Sequence, residues 1–134
     1  MAENFTLIIS TPEKEFFSGE TDSLIITTTE GEMGVLARHE LMVVALDVAP
    51  VRFKVGEDWR EAAVSGGFAQ IKAEHVLILA DTAEWPEDIE INRALEAKTR
   101  AEERIVRRAS EIEFLRSQAA LRRALTRLMV GGKK

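Results

Sequence analysis

The sequence predicts an α+β protein, with an N-terminal β-sandwich followed by a C-terminal antiparallel helical hairpin. Three observations carry this. Short β-prone runs recur at close spacing through the first 80 residues, punctuated by Gly, Pro and Asp. Residues 91–130 contain no Gly and no Pro and are crowded with Ala, Leu, Glu, Arg and Lys, the strong helix formers. The charge divides at the same place: residues 1–88 hold 17 acidic and 6 basic side chains, and residues 89–134 hold 6 acidic and 12 basic, within a net charge of -5. An acidic front and a basic tail imply two modules, residues 1–88 and 89–134, with different partners.

In order, residues 5–9 form a first strand, closed by Thr11-Pro12, and residues 15–18 a second, closed by Gly19. Residues 23–29 (SLIITTT) are dense in β-branched side chains, which suit a strand. Glu30-Gly-Glu-Met-Gly34 reads as a loop with two glycines, and residues 41–46 as a strand. Residues 51–55 (VRFKV) alternate with the period of a half-buried strand, turn at Gly56-Glu-Asp58, and return over residues 59–65. Gly66-Gly67 breaks the chain; residues 68–72 and 76–80 (VLILA) follow as strands. Roughly seven to ten short strands so spaced make a sandwich or a barrel.

Residues 81–88 (DTAEWPED) read as a linker, with Pro86 inside it. A first helix starts near Ile91, with Ile91, Ala94, Leu95, Ala101, Ile105 and Ala109 as its apolar stripe. Ser110-Glu-Ile-Glu113 is a capping-box pattern, which ends one helix near Ala109 and starts another after Ser110. The second helix is expected to bury Phe114, Leu121, Leu125 and Leu128, with Ile112, Leu115 and Ala119 beside them, and to end at Gly131-Gly132. One continuous helix of about 40 residues fits the same amphipathic pattern.

Cysteine is absent, which excludes disulfides and thiolate chemistry. No apolar run approaches the roughly 20 residues of a membrane span. The opening MAENFTLIIS lacks the basic start and long apolar core of a signal peptide, so a cytoplasmic location is expected. His39 and His75 are the only histidines, and no nucleophile, metal-ligand or phosphate-loop motif accompanies them. A non-catalytic protein with no required cofactor and no metal is the expectation. Trp59 and Trp85 read as core or hinge packing. The acidic front half argues against nucleic acid as a partner.

The arginines are the remaining signal. Arg93, Arg100, Arg104 and Arg107 are spaced 7, 4 and 3 and share a helix face; Arg116, Arg123 and Arg127 are spaced 7 and 4 and share another. In an antiparallel hairpin Arg93 and Arg100 approach Arg123 and Arg127. Guanidinium forks brought together suit phosphate oxygens. The same spacing also serves a solvated face relieved by Glu96 and Glu103.

Ser10-Thr-Pro-Glu13, Phe17-Ser-Gly-Glu20, Glu30-Gly-Glu-Met-Gly34, Ala63-Val-Ser-Gly-Gly-Phe68 and Val76-Leu-Ile-Leu-Ala80 resemble the epsilon subunit of bacterial F-type ATP synthases. The resemblance continues through Ala101-Glu-Glu-Arg104 and Ala119-Ala-Leu-Arg-Arg-Ala-Leu125 and covers essentially the whole chain. It implies a β-sandwich of about ten strands and a C-terminal helical hairpin. It also implies a central-stalk rotor subunit, bound to the gamma subunit and the c-ring, that couples proton or sodium translocation to ATP synthesis on the cytoplasmic face of the membrane. By the same resemblance the hairpin can extend between the alpha and beta subunits and inhibit ATP hydrolysis. Arg116, Arg122, Arg123 and Arg127 would then meet an acidic segment of the beta subunit. Glu32 and His39 fall at the gamma and c-ring contact. Some members bind ATP as a regulatory ligand on the folded hairpin. The matching positions here are Glu84, Ile89, Glu90, Arg93, Ala94, Arg100, Arg123 and Arg127, for ATP or Mg-ATP. Two departures stand out: Glu90 occupies the family's Asp position with one more methylene, and Ala37-Arg38 stand where the family has Pro-Gly before His39.

Overall fold

The computed structural model describes residues 3–107 and 110–132. By its internal contacts the chain forms two compact units, Met1–Glu84 and Trp85–Lys134.

The first unit is all β. Its strands are β1 (Phe5–Ser10), β2 (Glu15–Thr21), β3 (Leu24–Thr28), β4 (Gly31–Val35), β5 (Met42–Val55), β6 (Asp58–Ile71), β7 (His75–Ala80) and β8 (Ala83–Glu84). They join in the order β2-β1-β7-β6-β5-β3-β4, with β8 on β6. All pairs are antiparallel except β1 with β7, which run parallel with Thr6 opposite His75. The β5–β6 hairpin feeds both layers of the sandwich. Near its open end, residues 67–71 of β6 pair with β7. Near its turn, residues 52–53 of β5 pair with β3, and residues 63–64 of β6 pair with β8.

The layers close face to face through aromatic packing. Phe17 of β2 and Phe53 of β5 lie far apart along the hydrogen-bonded path, yet their rings stand 4.7 Å apart. The inward residues follow the strand period of two: Phe5, Leu7 and Ile9 of β1 are buried and alternate with half-buried neighbours. Leu24, Ile26, Val51, Phe53, Ile71 and Ile78 complete the centre. Each large apolar side chain buried in this way contributes about 1.5–3 kcal/mol.

Three strand assignments read from the sequence change. The expected loop at residues 30–34 is strand β4. The expected breaks at residues 47–50 and 66–67 lie inside the 14-residue strands β5 and β6. Counting those two strands once in each layer, the eight described strands supply ten strand segments, which is the expected sandwich. Pro50 is tolerated within β5 because it falls where the β3–β5 pairing is interrupted, between Ile25 and Thr28. At Gly67, φ is +115°, and a Cβ there would stand 2.0 Å from the Leu79 carbonyl oxygen, so the glycine permits the close approach of β6 to β7. Trp59 is half exposed rather than core; it pairs across the hairpin with Lys54, whose Nζ lies 5.7 Å from the ring centroid.

The second unit holds a 3-10 turn (Pro86–Asp88) and helices α1 (Ile91–Arg107) and α2 (Glu111–Gly131). The expected linker is therefore partly structured, as β8 and the 3-10 turn. Two helices, not one continuous helix, are formed. Ser110 is the N-cap of α2, and its hydroxyl accepts from the Glu113 amide at 3.1 Å. At the far end Gly132 caps the helix, its N–H donating to the Leu128 carbonyl.

The expected α1 stripe holds at Ala94 and Ala101 but not at Leu95, and the buried face of α2 differs from expectation. Ala94 and Ala101 of α1, and Ser117, Ala124 and Gly131 of α2, recur at seven-residue intervals and are buried. Seven residues is two turns, so each set forms one stripe, and small side chains let helix axes approach closely. By contrast Leu95, Ile112, Leu115 and Leu125 are exposed, while Phe114, Leu121 and Leu128 are half-buried. Ala109 lies outside the described residues.

Candidate functional site: an arginine-lined groove in the hairpin

The hairpin register follows from Gly131, the final residue of α2. A Cβ on Gly131 would stand 2.8 Å from Ile89 Cγ2 and from Ile91 Cδ1, so the end of α2 packs on the start of α1. With antiparallel helices, Arg93 then stands level with Arg127 and Leu128, and Arg100 level with Leu121 and Arg122.

Toward the Ser110 turn, the two helices enclose an open groove of about 650 Å³. Arg104 and Arg107 of α1 line one side, and Arg116 and Arg123 of α2 the other. Ser117, Ala119 and Ala120 form its floor, and Glu113 closes the turn end. These arginines reach the groove because each helix repeats its charged face every three to four residues. Arg107 has an acidic neighbour in Glu103, at 3.7 Å one turn earlier, with both groups exposed. Four guanidinium groups around one cavity repel one another, and an anion placed among them relieves that repulsion.

Of the residues singled out from the sequence, Arg116 and Arg123 enter this groove. Arg93 and Arg100 are exposed on α1, about three turns and one turn before Arg104, outside its lining. Arg122 is exposed on α2, and Arg127 is half-buried there. Arg104 and Arg107 were legible as part of the regular α1 spacing. Their meeting with Arg116 depends on the hairpin register, which spacing alone does not give.

Around the helix start, Ile89 is fully buried and Ala94 lies on the small-residue stripe. Glu90 is the N-cap of α1. Its carbonyl accepts from the Ala94 amide, and its carboxylate Oε1 accepts from the Asn92 amide at 3.1 Å. A carboxylate held there also complements the positive end of the helix dipole. Glu84 ends β8 in the first unit and is half-buried.

In the sheet unit, Glu32 lies on β4 and pairs with Arg52 of β5 at 3.3 Å, both exposed. His39 is half-buried and follows Arg38, whose φ of +63° is the conformation glycine favours. The Arg38 amide donates to the Ala73 carbonyl at 2.6 Å, and its guanidinium pairs with Glu3 at 2.8 Å. Those contacts hold an arginine in backbone geometry that the Pro-Gly of the resembled family would adopt with less strain.

A β-sandwich that ends in a capped two-helix hairpin defines a class, and comparison with known proteins gives the family. Residues 4–86 match the ATP synthase Delta/Epsilon chain beta-sandwich domain, and residues 87–132 the Delta/Epsilon chain long alpha-helix domain. The chain is 48% identical to an ATP synthase epsilon chain of Ruminiclostridium cellulolyticum, over 97% of each chain. It is 40% identical to that of Caldanaerobacter subterraneus, over 99% of this chain and 97% of the other. A chain in the mitochondrial ATP synthase of Euglena gracilis (an assembly of OSCP, F1 and c-ring) superposes with a TM-score of 0.80 at 25% identity, covering 89% of this chain and 76% of that one. A chain of the Tetrahymena thermophila central stalk and c-ring shares the fold, with a TM-score of 0.54 at 12% identity over 66% of this chain and 72% of that one. This chain belongs to the ATP synthase epsilon chain family.

Proposed function

We propose that this chain is a non-catalytic central-stalk subunit of an F-type ATP synthase, coupling ion translocation to ATP synthesis and restraining ATP hydrolysis through its C-terminal hairpin. The observation that carries the regulatory part is the break at Ser110. A cap in the middle of an otherwise continuous amphipathic segment gives two helices that can fold back or extend. Among the described residues no helix is long and apolar enough to cross a membrane, which fits a peripheral subunit.

In this reading residues 1–88 bind the gamma subunit and the c-ring, with Glu32 and His39 at that contact, on the cytoplasmic face. Residues 89–134 are the regulatory element. When extended between the alpha and beta subunits, Arg116, Arg122, Arg123 and Arg127 meet an acidic segment of the beta subunit. Deleting residues 110–134 should leave assembly intact and raise ATP hydrolysis by the reconstituted enzyme severalfold; unchanged hydrolysis removes the inhibitory role.

A second reading, ATP as a regulatory ligand of the folded hairpin, draws on Glu84, Ile89, Glu90, Arg93, Ala94, Arg100, Arg123 and Arg127. Glu90 favours it only weakly, because its carboxylate is engaged in capping α1. Titrating the isolated chain with Mg-ATP while following Trp85 fluorescence and helix content tests it. A flat response up to millimolar ATP eliminates ATP control, and Glu90→Asp should then be tried to restore it.

A further inference from the structure

The groove by the Ser110 turn lies apart from most of the proposed ATP residues. Among the described residues that line it, Arg123 is shared with that set, and Arg104, Arg107 and Arg116 are not. Arg116 and Arg123 are separated by seven residues of α2, about 10 Å along its axis. A linear chain of phosphates can meet both along that length while Arg104 and Arg107 reach it from α1. Between the arginines the lining is the small residues Ser117, Ala119 and Ala120, with Ser117 only 3% exposed, and the single carboxylate of Glu113 lies at the turn end. Planar guanidinium forks match phosphate oxygens two at a time.

We propose that this groove binds a short inorganic polyphosphate chain of about three or more phosphates, clamped between α1 and α2. Because two arginines come from each helix, the bound chain bridges them and holds the hairpin folded. Binding only the folded arrangement stabilises it by mass action. The proposal does not depend on ATP binding at the helix start.

Calorimetric titration of the full chain with tripolyphosphate tests this at physiological ionic strength, where exposed charges are substantially screened. The double variant Arg104→Gln/Arg116→Gln should weaken binding by at least about tenfold, the scale of a lost charge-assisted hydrogen bond. Arg93→Gln, in the ATP set, should change it by less than about twofold, since it makes no such contact there. Arg104→Lys keeps the charge but loses the fork, and should fall between. Helix content by circular dichroism confirms that each variant is folded. Amide exchange in α1 and α2 should slow when tripolyphosphate is bound. Absence of tripolyphosphate binding overturns the proposal, as does equal affinity for orthophosphate or for an octaglutamate peptide. Loss of tripolyphosphate binding in Arg93→Gln would assign the anion to the ATP set instead. Failure of ATP to bind while tripolyphosphate still binds would remove only the ATP reading.

Discussion

The sheet unit and the hairpin bury different kinds of side chain. The sheet buries Leu7, Ile9, Ile26, Phe53, Ile71 and Ile78, each large and fully enclosed. The hairpin stripe is Ala94, Ala101, Ser117, Ala124 and Gly131, while Val106 (84% exposed), Ile112 (63%) and Leu115 (55%) face outward. At about 25 cal/mol per Å² of apolar surface, a stripe of alanine, serine and glycine gains far less from burial than a core of Leu, Ile and Phe. Among the described residues, Val130 and Ile89 are the large apolar side chains that the second unit buries, so its packing rests mainly on small residues where the sheet's rests on large ones. The division of charge follows the same line, since a basic segment suits acidic or phosphorylated partners.

Three substitutions test that contrast. Phe53→Ala removes one side of the Phe17 ring contact and leaves a cavity in the sandwich. It should cost about 3–5 kcal/mol in urea unfolding of the sheet unit. A loss below about 1 kcal/mol, the scale of an Ile→Val change, would mean that the sandwich centre is not where its stability lies. Gly131→Val should place branched atoms against Ile89 and Ile91, where even a Cβ stands at 2.8 Å. It should part the end of α2 from α1 at about 1–3 kcal/mol, read as faster amide exchange in α2 with sheet amides unchanged. Ser110→Ala removes the cap of α2 and should cost about 1 kcal/mol of hairpin stability. Because the cap is also what interrupts the helix, the same change should favour the extended arrangement. Circular dichroism showing helix content raised or unchanged, rather than reduced, would support a shift in arrangement over simple unfolding.

Much of this was legible in the sequence because local rules govern it. The alternation of residues 51–55, the β-branched run at 23–29 and the capping box at Ser110 each signal their element without help from the rest of the chain. What was not legible depends on distant partners. Gly66-Gly67 looked like a chain break because glycine commonly marks turns. Gly67 is instead a point of close contact with Leu79, which only the β6–β7 pairing reveals. Gly31 and Gly34 likewise disguised β4, a strand made by pairing with β3. In α1 the amphipathic pattern already marks Ala94 and Ala101, but in α2 it points to the large apolar side chains Phe114, Leu121, Leu125 and Leu128. Close helix approach in α2 instead favours Ser117, Ala124 and Gly131, whose seven-residue recurrence is the sign that hydrophobicity alone misses. For the groove, arginine spacing gave the faces, but which rows meet was fixed by the packing of Gly131 on Ile89 and Ile91.

The parallel pairing of β1 with β7 bears on how the chain acquires its structure. Thr6 finds its partner at His75, so the first strand has an exposed edge until nearly the whole sheet unit is available. During synthesis from the N-terminus, the sandwich can close only after β7 emerges, and such long-range pairing forms slowly. The hairpin, by contrast, needs only neighbours within about 40 residues and can form rapidly on its own. A nascent chain halted before residue 75 would carry β1 with one edge uncovered, a site for pairing with another chain.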